Sequence, residues 1–182
     1  DPVRRVDTLA ALAQEAAKYD TAVALEFMMF TQCKNLTEAA DIVRAAGQSN
    51  VVILPDVLHV IRSGGSVEQL REIDPALLPY AQVCGAEGAL PAESPEAARA
   101  EGVKARLMPD EGDLPVREFV QALPASTIIS VESPLVGQAD PADPFALAVA
   151  MMAGCLAVWP WPFMAGRFVA VAVAMMPKIA TM

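Results

Sequence analysis

The segment "VVILPDVLHV", residues 51–60, holds the only histidine of the chain, His59, three residues after Asp56. An otherwise apolar run that finishes on a carboxylate and an imidazole is an unusual way to end a strand. Three further apolar runs close similarly: "ALEFM" on Glu26, "YAQVCG" on Gln82 and "SVESP" on Glu132. Three carboxylates and an amide oxygen form a hard, anionic donor set suited to a divalent cation such as Mg2+ or Mn2+, unlike a thiolate-rich zinc site. On this reading Glu26, Asp56, Gln82 and Glu132 are metal ligands, and His59 reaches the substrate held beside the ion. A lone acid in such a run is ordinarily a segment end in solvent, and a lone histidine is ordinarily structural. Four polar closures in register favour a site, because a buried acid is costly unless it is paired or metal-bound.

The elements that must position these groups alternate along the chain. Residues 3–19 place Val3, Val6, Leu9, Leu12, Ala13 and Ala16 at helical spacing. The run 21–30 reads as a strand covered on both faces. Asn35 with Glu38 predicts a capped helix from Leu36 to Ala46, closed by Gly47. Residues 51–60 follow as a second strand, and Ser66 with Gln69 starts a helix to about Ile73. A third strand is expected over 77–86, a looser stretch at "SPEAARAEG", a helix over 114–123 and a fourth strand over 126–134. This alternation calls for parallel strands with crossover helices, an α/β sheet or barrel whose ligands gather at the strands' C-terminal ends.

Composition narrows the function classes. The 182 residues are 54% hydrophobic, enough for one domain with a real core. With 22 acidic and 13 basic residues the net charge is -9, which repels phosphate backbones and removes nucleic acid from the partners. Cys33, Cys84 and Cys155 are odd in number and have no CxxC spacing, so neither a disulfide framework nor a zinc knuckle is expected, and a reducing cytoplasm is the simplest location. The first twenty residues carry charges throughout and do not read as a signal peptide. From Phe145 to Gly166 no residue is charged, a length that could span a bilayer. Pro160 and Pro162 on either side of Trp161 would break such a helix, so a buried final helix followed by an irregular apolar tail is expected instead.

The segments "VALEFM", "VILPDVLHVIRSGGS", "YAQVCGA", "ARLMPDEGDLPVREFVQALP" and "ISVESP" resemble, in order, successive motifs of the xylose-isomerase-like TIM-barrel superfamily, the sugar phosphate isomerase/epimerase group. The resemblance implies a (β/α) TIM-barrel fold, of which this chain supplies about four of the eight β/α units. It implies residues 1–157 as a partial barrel domain and 158–182 as an apolar tail outside it. It implies Glu26, Asp56, Gln82 and Glu132 as metal ligands, Glu26 and Glu132 as the pair moving a proton at the sugar carbon, and His59 as a group touching substrate oxygens. Arg106 would bind a hydroxyl, carboxylate or phosphate of the substrate. The implied activity is metal-dependent isomerisation or epimerisation of a small sugar, polyol or sugar acid. A lyase acting on an inosose or dehydroshikimate-like ring shares the first proton abstraction and is the alternative enzyme, and a catalytically silent incomplete barrel is the alternative outside catalysis.

The chemistry is coherent without the analogy, since abstracting a proton beside a carbonyl needs a carboxylate base and a cation for the oxygen that gains charge. Cys33 and Cys84 read as packing residues, because no second histidine exists to activate a thiol. Two departures stand out: Gly85 where relatives often carry aspartate, and Asp110 in a turn that usually reads PGEG, a change that would reset the loop bearing Arg106. A half barrel exposes two strand edges and an apolar inner face, which favours pairing into a homo-oligomer, aggregation or loss of activity; a small sugar or polyol substrate is the expected partner.

Overall fold

The computed structural model describes residues 2–133 together with residues 149, 153 and 154. The expected apolar tail, the uncharged run after Phe145 and Cys155 lie outside the described residues, apart from those three positions. Among the described residues no helix is long and apolar enough to cross a membrane.

Helix α1 (Pro2–Ala17) leads into β1 (Val23–Glu26), α2 (Leu36–Ala46), β2 (Val51–Leu54) and α3 (Val57–Arg62). Two 3-10 helices, Val67–Glu72 and Pro75–Leu77, precede β3 (Tyr80–Val83), α4 (Pro95–Lys104), α5 (Val116–Ala122) and β4 (Ile128–Val131). The caps follow the local sequence. Asn35 accepts from the Glu38 N–H at 2.9 Å, Gly47 closes α2 at φ 62°, and the Gln69 side chain accepts from the Ser66 N–H at 3.1 Å.

Among the described residues both strand pairs, β1–β2 and β3–β4, are parallel. Glu26 stands opposite Leu54 in the β1–β2 pair, and Gln82 opposite Ser130 in the β3–β4 pair. The two pairs meet at one bridge, Asp56 opposite Gln82, where the Gln82 N–H donates to the Pro55 carbonyl at 2.9 Å. Proline has no N–H for a sheet ladder, so Pro55 ends β2 while its carbonyl still serves β3. The result is two two-stranded parallel sheets, β1-β2 and β3-β4, joined by that bridge into a partial barrel.

β2 and β3 bury alternate residues, and β4 buries Ser130 as well as its two apolar neighbours. Val51, Ile53, Ala81, Val83, Ile129 and Val131 are buried and pack with Ala39 and Val43 of α2, Leu58 of α3 and Phe119 of α5 in one apolar cluster. The opposite face, the concave side that a closed barrel would enclose, is only partly covered: Ala24 and Ile128 are exposed, and Val52, Leu54 and Tyr80 are half-buried. The core therefore sits between sheet and helices.

The structure departs from the sequence reading in three places. Each strand is four residues long, shorter than the apolar runs, because Phe27 and Cys84 complete the apolar pattern outside the ladder as buried residues of the following loops. His59 is not at a strand end but in the first turn of α3, which Asp56 caps by accepting the Leu58 N–H at 2.7 Å. The "SPEAARAEG" stretch is the helix α4, with Ser94 as its cap, Pro95 in its first turn and Ala98 as its one buried residue. A helix that buries so little apolar surface has no periodic signal, but the Ser-Pro-Glu start was a legible one.

Candidate metal and acid/base centre

Register explains why the polar strand closures share a face. Paired residues of a parallel ladder point the same way, and so do residues two apart on one strand. Glu26 pairs with Leu54, two before Asp56; Asp56 pairs with Gln82; Gln82 pairs with Ser130, two before Glu132. All four therefore face the concave side at the C-terminal end of the sheet. The two-residue steps between successive pairs are the stagger of tilted barrel strands, which keeps such groups at one level relative to the barrel axis.

At that edge Glu26, Asp56 and His59 each offer a ligand atom, and the three atoms lie within 4.8 Å of one another. Glu26 Oε1 is 3.6 Å from His59 Nε2. The His59 imidazole is held by the edge of Phe30, with ring centroids 5.9 Å apart at 76°. Asp56 has no exposed surface, and His59 is 3% exposed. Two buried oxygens in the same region, Gln82 Oε1 and Glu132 Oε2, have no hydrogen-bond partner. A buried acceptor left unsatisfied costs about 1–3 kcal/mol. Carboxylates from Glu26, Asp56 and Glu132, the orphaned amide oxygen and an imidazole thus form a donor set that fits a divalent cation.

Arg106 enters this centre from the loop after α4. Its Nη1 is 2.5 Å from Asp56 Oδ2 and its Nη2 is 3.1 Å from Glu132 Oε2. Nη2 also lies 3.3 Å from His59 Nε2, and Nε donates to the Gly102 carbonyl at 2.9 Å. The loop is fixed to the end of β3 by backbone: Gly85 and Leu107 exchange two hydrogen bonds of 2.9 Å, and the Ser133 hydroxyl donates to the Leu107 carbonyl at 2.6 Å. Gly85 is required there, since a Cβ would stand 2.2 Å from the Met108 and Glu111 carbonyl oxygens. Gly112, at φ 76°, is equally constrained, its Cβ position being 2.3 Å from the Ala86 carbonyl oxygen. Ser133 and Gly102 were not singled out from the sequence, which gives no signal for contacts between separate loops.

Proximity of like charges sets the acidities. Burial, then Asp56 and Glu132, push the Glu26 carboxyl up to about 8, with Arg106 opposing. Burial also raises the Glu132 carboxyl; Arg106 works against that and Asp56 with it. Burial alone would raise Asp56 too, but Arg106, His59 and the hydrogen bonds from Arg106 and Leu58 outweigh it and hold Asp56 below the usual carboxylate range. Burial keeps the His59 imidazole neutral further down the pH scale than usual, with Asp56 opposing. Burial and Arg106 thus drive the Glu26 and Asp56 carboxyls in opposite directions. Cys33 and Cys84 are free and buried, burial pushes the Cys33 thiol up to about 11, and Cys84 shifts the same way.

Comparison with known proteins accords with this architecture. No curated protein sequence matches the chain. Among solved structures it is similar to a xylose isomerase-like TIM barrel/4-hydroxyphenylpyruvate dioxygenase fusion protein, at 19% identity and TM-score 0.70, covering 84% of this chain and 24% of that one. It is similar to the IolI protein, whose 1.8 Å crystal structure has a zinc atom, at 20% identity and TM-score 0.69 over 86% of this chain and 55% of that one. A xylose isomerase domain protein from Alicyclobacillus acidocaldarius follows at 22% identity and TM-score 0.60, covering 85% and 57%. The chain spans about half the length of the last two and a quarter of the first. Residues 4–155 match the family described as xylose isomerase-like TIM barrel. With that match over most of its length, and parallel strands presenting their polar ends at one edge, the chain belongs to the xylose isomerase-like TIM barrel family.

Proposed function

We propose that this chain carries the acid/base and metal-binding edge of an isomerase or epimerase acting on a small sugar, polyol or sugar acid. The single observation that carries the reading is the meeting of Glu26, Asp56 and His59 within 4.8 Å, beside the orphaned Gln82 Oε1 and the Glu132 carboxylate. Glu26, Asp56, Gln82 and Glu132 would hold a divalent ion, Mg2+ or Mn2+ by the preponderance of oxygen donors. When bound, such an ion stabilises negative charge on the substrate oxygen next to the carbon that loses its proton. Glu132 and Glu26 would be the two carboxyls that take and return that proton. His59, neutral and rigid on α3, orients a substrate hydroxyl or carbonyl by one hydrogen bond.

A second reading of His59 has its own support. Its Nε2 lies within the ligand group itself, and an imidazole ligand suits Zn2+ as well as Mn2+. IolI, which shares the fold, holds a zinc atom.

The test is solvent exchange. The chain is loaded with Mg2+, Mn2+ or Zn2+ and incubated in D2O with a panel of ketoses, aldoses and keto-polyols, and deuterium is followed by NMR at carbons next to the carbonyl. Metal-dependent deuteration, lost in Glu132→Gln and lowered about 10- to 1000-fold in His59→Asn with metal content unchanged, is expected. Loss of metal in His59→Asn would make it a ligand. Absence of exchange with every substrate and metal would overturn the proposal for this chain.

A further inference from the structure

Two buried arginines stand near the strand ends, and their surroundings differ in kind. Arg62 spends all five of its N–H donors on short bonds. Two go to the Glu101 carboxylate at 2.6 and 2.7 Å, and three to the carbonyls of Glu87, Gly88 and Leu90 at 2.9, 2.8 and 2.7 Å. Arg106 has one backbone bond, from Nε to Gly102, and a long contact of 3.4 Å from Nη1 to Cys84 Sγ. The remainder of its guanidinium faces groups of the metal centre: Asp56 at 2.5 Å, Glu132 at 3.1 Å and His59 at 3.3 Å. The Glu132 contact lacks hydrogen-bond geometry, for Glu132 Oε2 is without a hydrogen-bond partner although the guanidinium is beside it.

We propose that Arg106 is the internal counter-cation of this centre, occupying by charge the place of the metal ion, and that a divalent ion binds by displacing its guanidinium from Asp56 and Glu132. The inference rests on the metal reading given above. Its physical basis is that a guanidinium and a divalent ion cannot share one set of buried carboxylates without strong repulsion at the low effective dielectric of a buried site. Arg106, 2.5 Å from Asp56 and 3.1 Å from Glu132, holds these ligand side chains together until the ion arrives. Its single backbone anchor at Nε leaves the end of the fork free to leave, whereas Arg62, fully bonded, stays. Arg106 is thus a positioning residue that both preorganises the site and sets the threshold for metal entry.

Calorimetric titration of Zn2+ and of Mn2+ into the wild-type chain and into Arg106→Met tests this directly. Arg106→Met is expected to bind at least about 10-fold more tightly, from removal of a positive charge beside the ion. Its metal-free form should melt at lower temperature than wild type and recover more on metal addition. Should Arg106→Met not fold, the wild-type chain decides the matter by 15N NMR of the arginine side chains, with Arg106 assigned through Arg106→Lys. The Arg106 Nη–H signals, slowed by the Asp56 pair, should disappear at saturating Zn2+ while those of Arg62 persist. Equal or weaker binding in a folded Arg106→Met, or Arg106 signals that survive saturation, would overturn the exchange but leave the metal reading standing. Absence of binding by wild type and variant alike would overturn the metal reading itself.

Discussion

Gly85 and Leu107 face each other across an antiparallel bridge, each donating its N–H to the other's carbonyl at 2.9 Å. This pair ties the end of β3, three residues beyond Gln82, to the residue after Arg106. It is the backbone link that brings a guanidinium from one loop to the carboxylates of Asp56 and Glu132, just beyond the ends of β2 and β4.

Gly85→Ala should therefore destabilise the fold by about 1–3 kcal/mol, the usual range for overpacking. The added methyl would stand 2.2 Å from two carbonyl oxygens, and backbone has to move to make room. Urea unfolding should show a lower midpoint, and metal affinity should change with it because the Arg106 loop shifts. An unchanged midpoint would mean that the two loops are not pinned as described.

Arg62 offers a contrast. Arg62→Met strands the Glu101 carboxylate and the carbonyls of Glu87, Gly88 and Leu90, and should cost about 3 kcal/mol, since hydrogen bonds to charged groups are worth more than neutral ones. Metal affinity of the folded fraction should stay at the wild-type value, because no Arg62 contact reaches the centre's acids.

The α2 cap is a separate, local test. Asn35→Ala removes the acceptor for the Glu38 N–H and should lower stability by about 1 kcal/mol, while Asn35→Gly should cost only a few tenths. Equal losses for both variants would show that Asn35 acts through something other than its side-chain oxygen.

Glu26 predicts a pH dependence in chelator-treated protein. Its carboxyl is raised from 4.5 to about 8 in the fold, so folding favours the protonated form. The resulting stabilisation is complete below about pH 4.5 and is lost as pH rises through about 8. Asp56 has the opposite sign: its lowered carboxyl supports the fold above its unfolded value and is lost in acid. Glu26 should contribute a fall in melting temperature between about pH 4.5 and 8 that levels off above, and Glu26→Gln should remove that contribution alone. Saturating Mg2+, Mn2+ or Zn2+ should also remove it, since the bound ion favours the ionised carboxylate. An identical pH profile between about 4.5 and 8 in wild type and Glu26→Gln would show that Glu26 is not desolvated as the geometry requires.

The sequence alone determined the local elements and the facing of the site. Asn35, Glu38 and Gly47 marked α2 to the residue, because a cap is satisfied within one turn of chain. The polar closures Glu26, Asp56, Gln82 and Glu132 were legible because a parallel strand alternates its faces, so an acid interrupting an apolar run announces its side. Tertiary structure alone decided what meets what. It moved His59 from the expected strand end to the first turn of α3, since Pro55 stops the ladder and Asp56 begins a helix. It also gave Arg106 to Asp56, fifty residues away in the chain, through a bridge whose only requirement in sequence is that Gly85 have no side chain. Pairings of that kind depend on register and on the close approach of two backbones. Neither leaves a period or a cap to read, because both are fixed only when the strands and loops pack together.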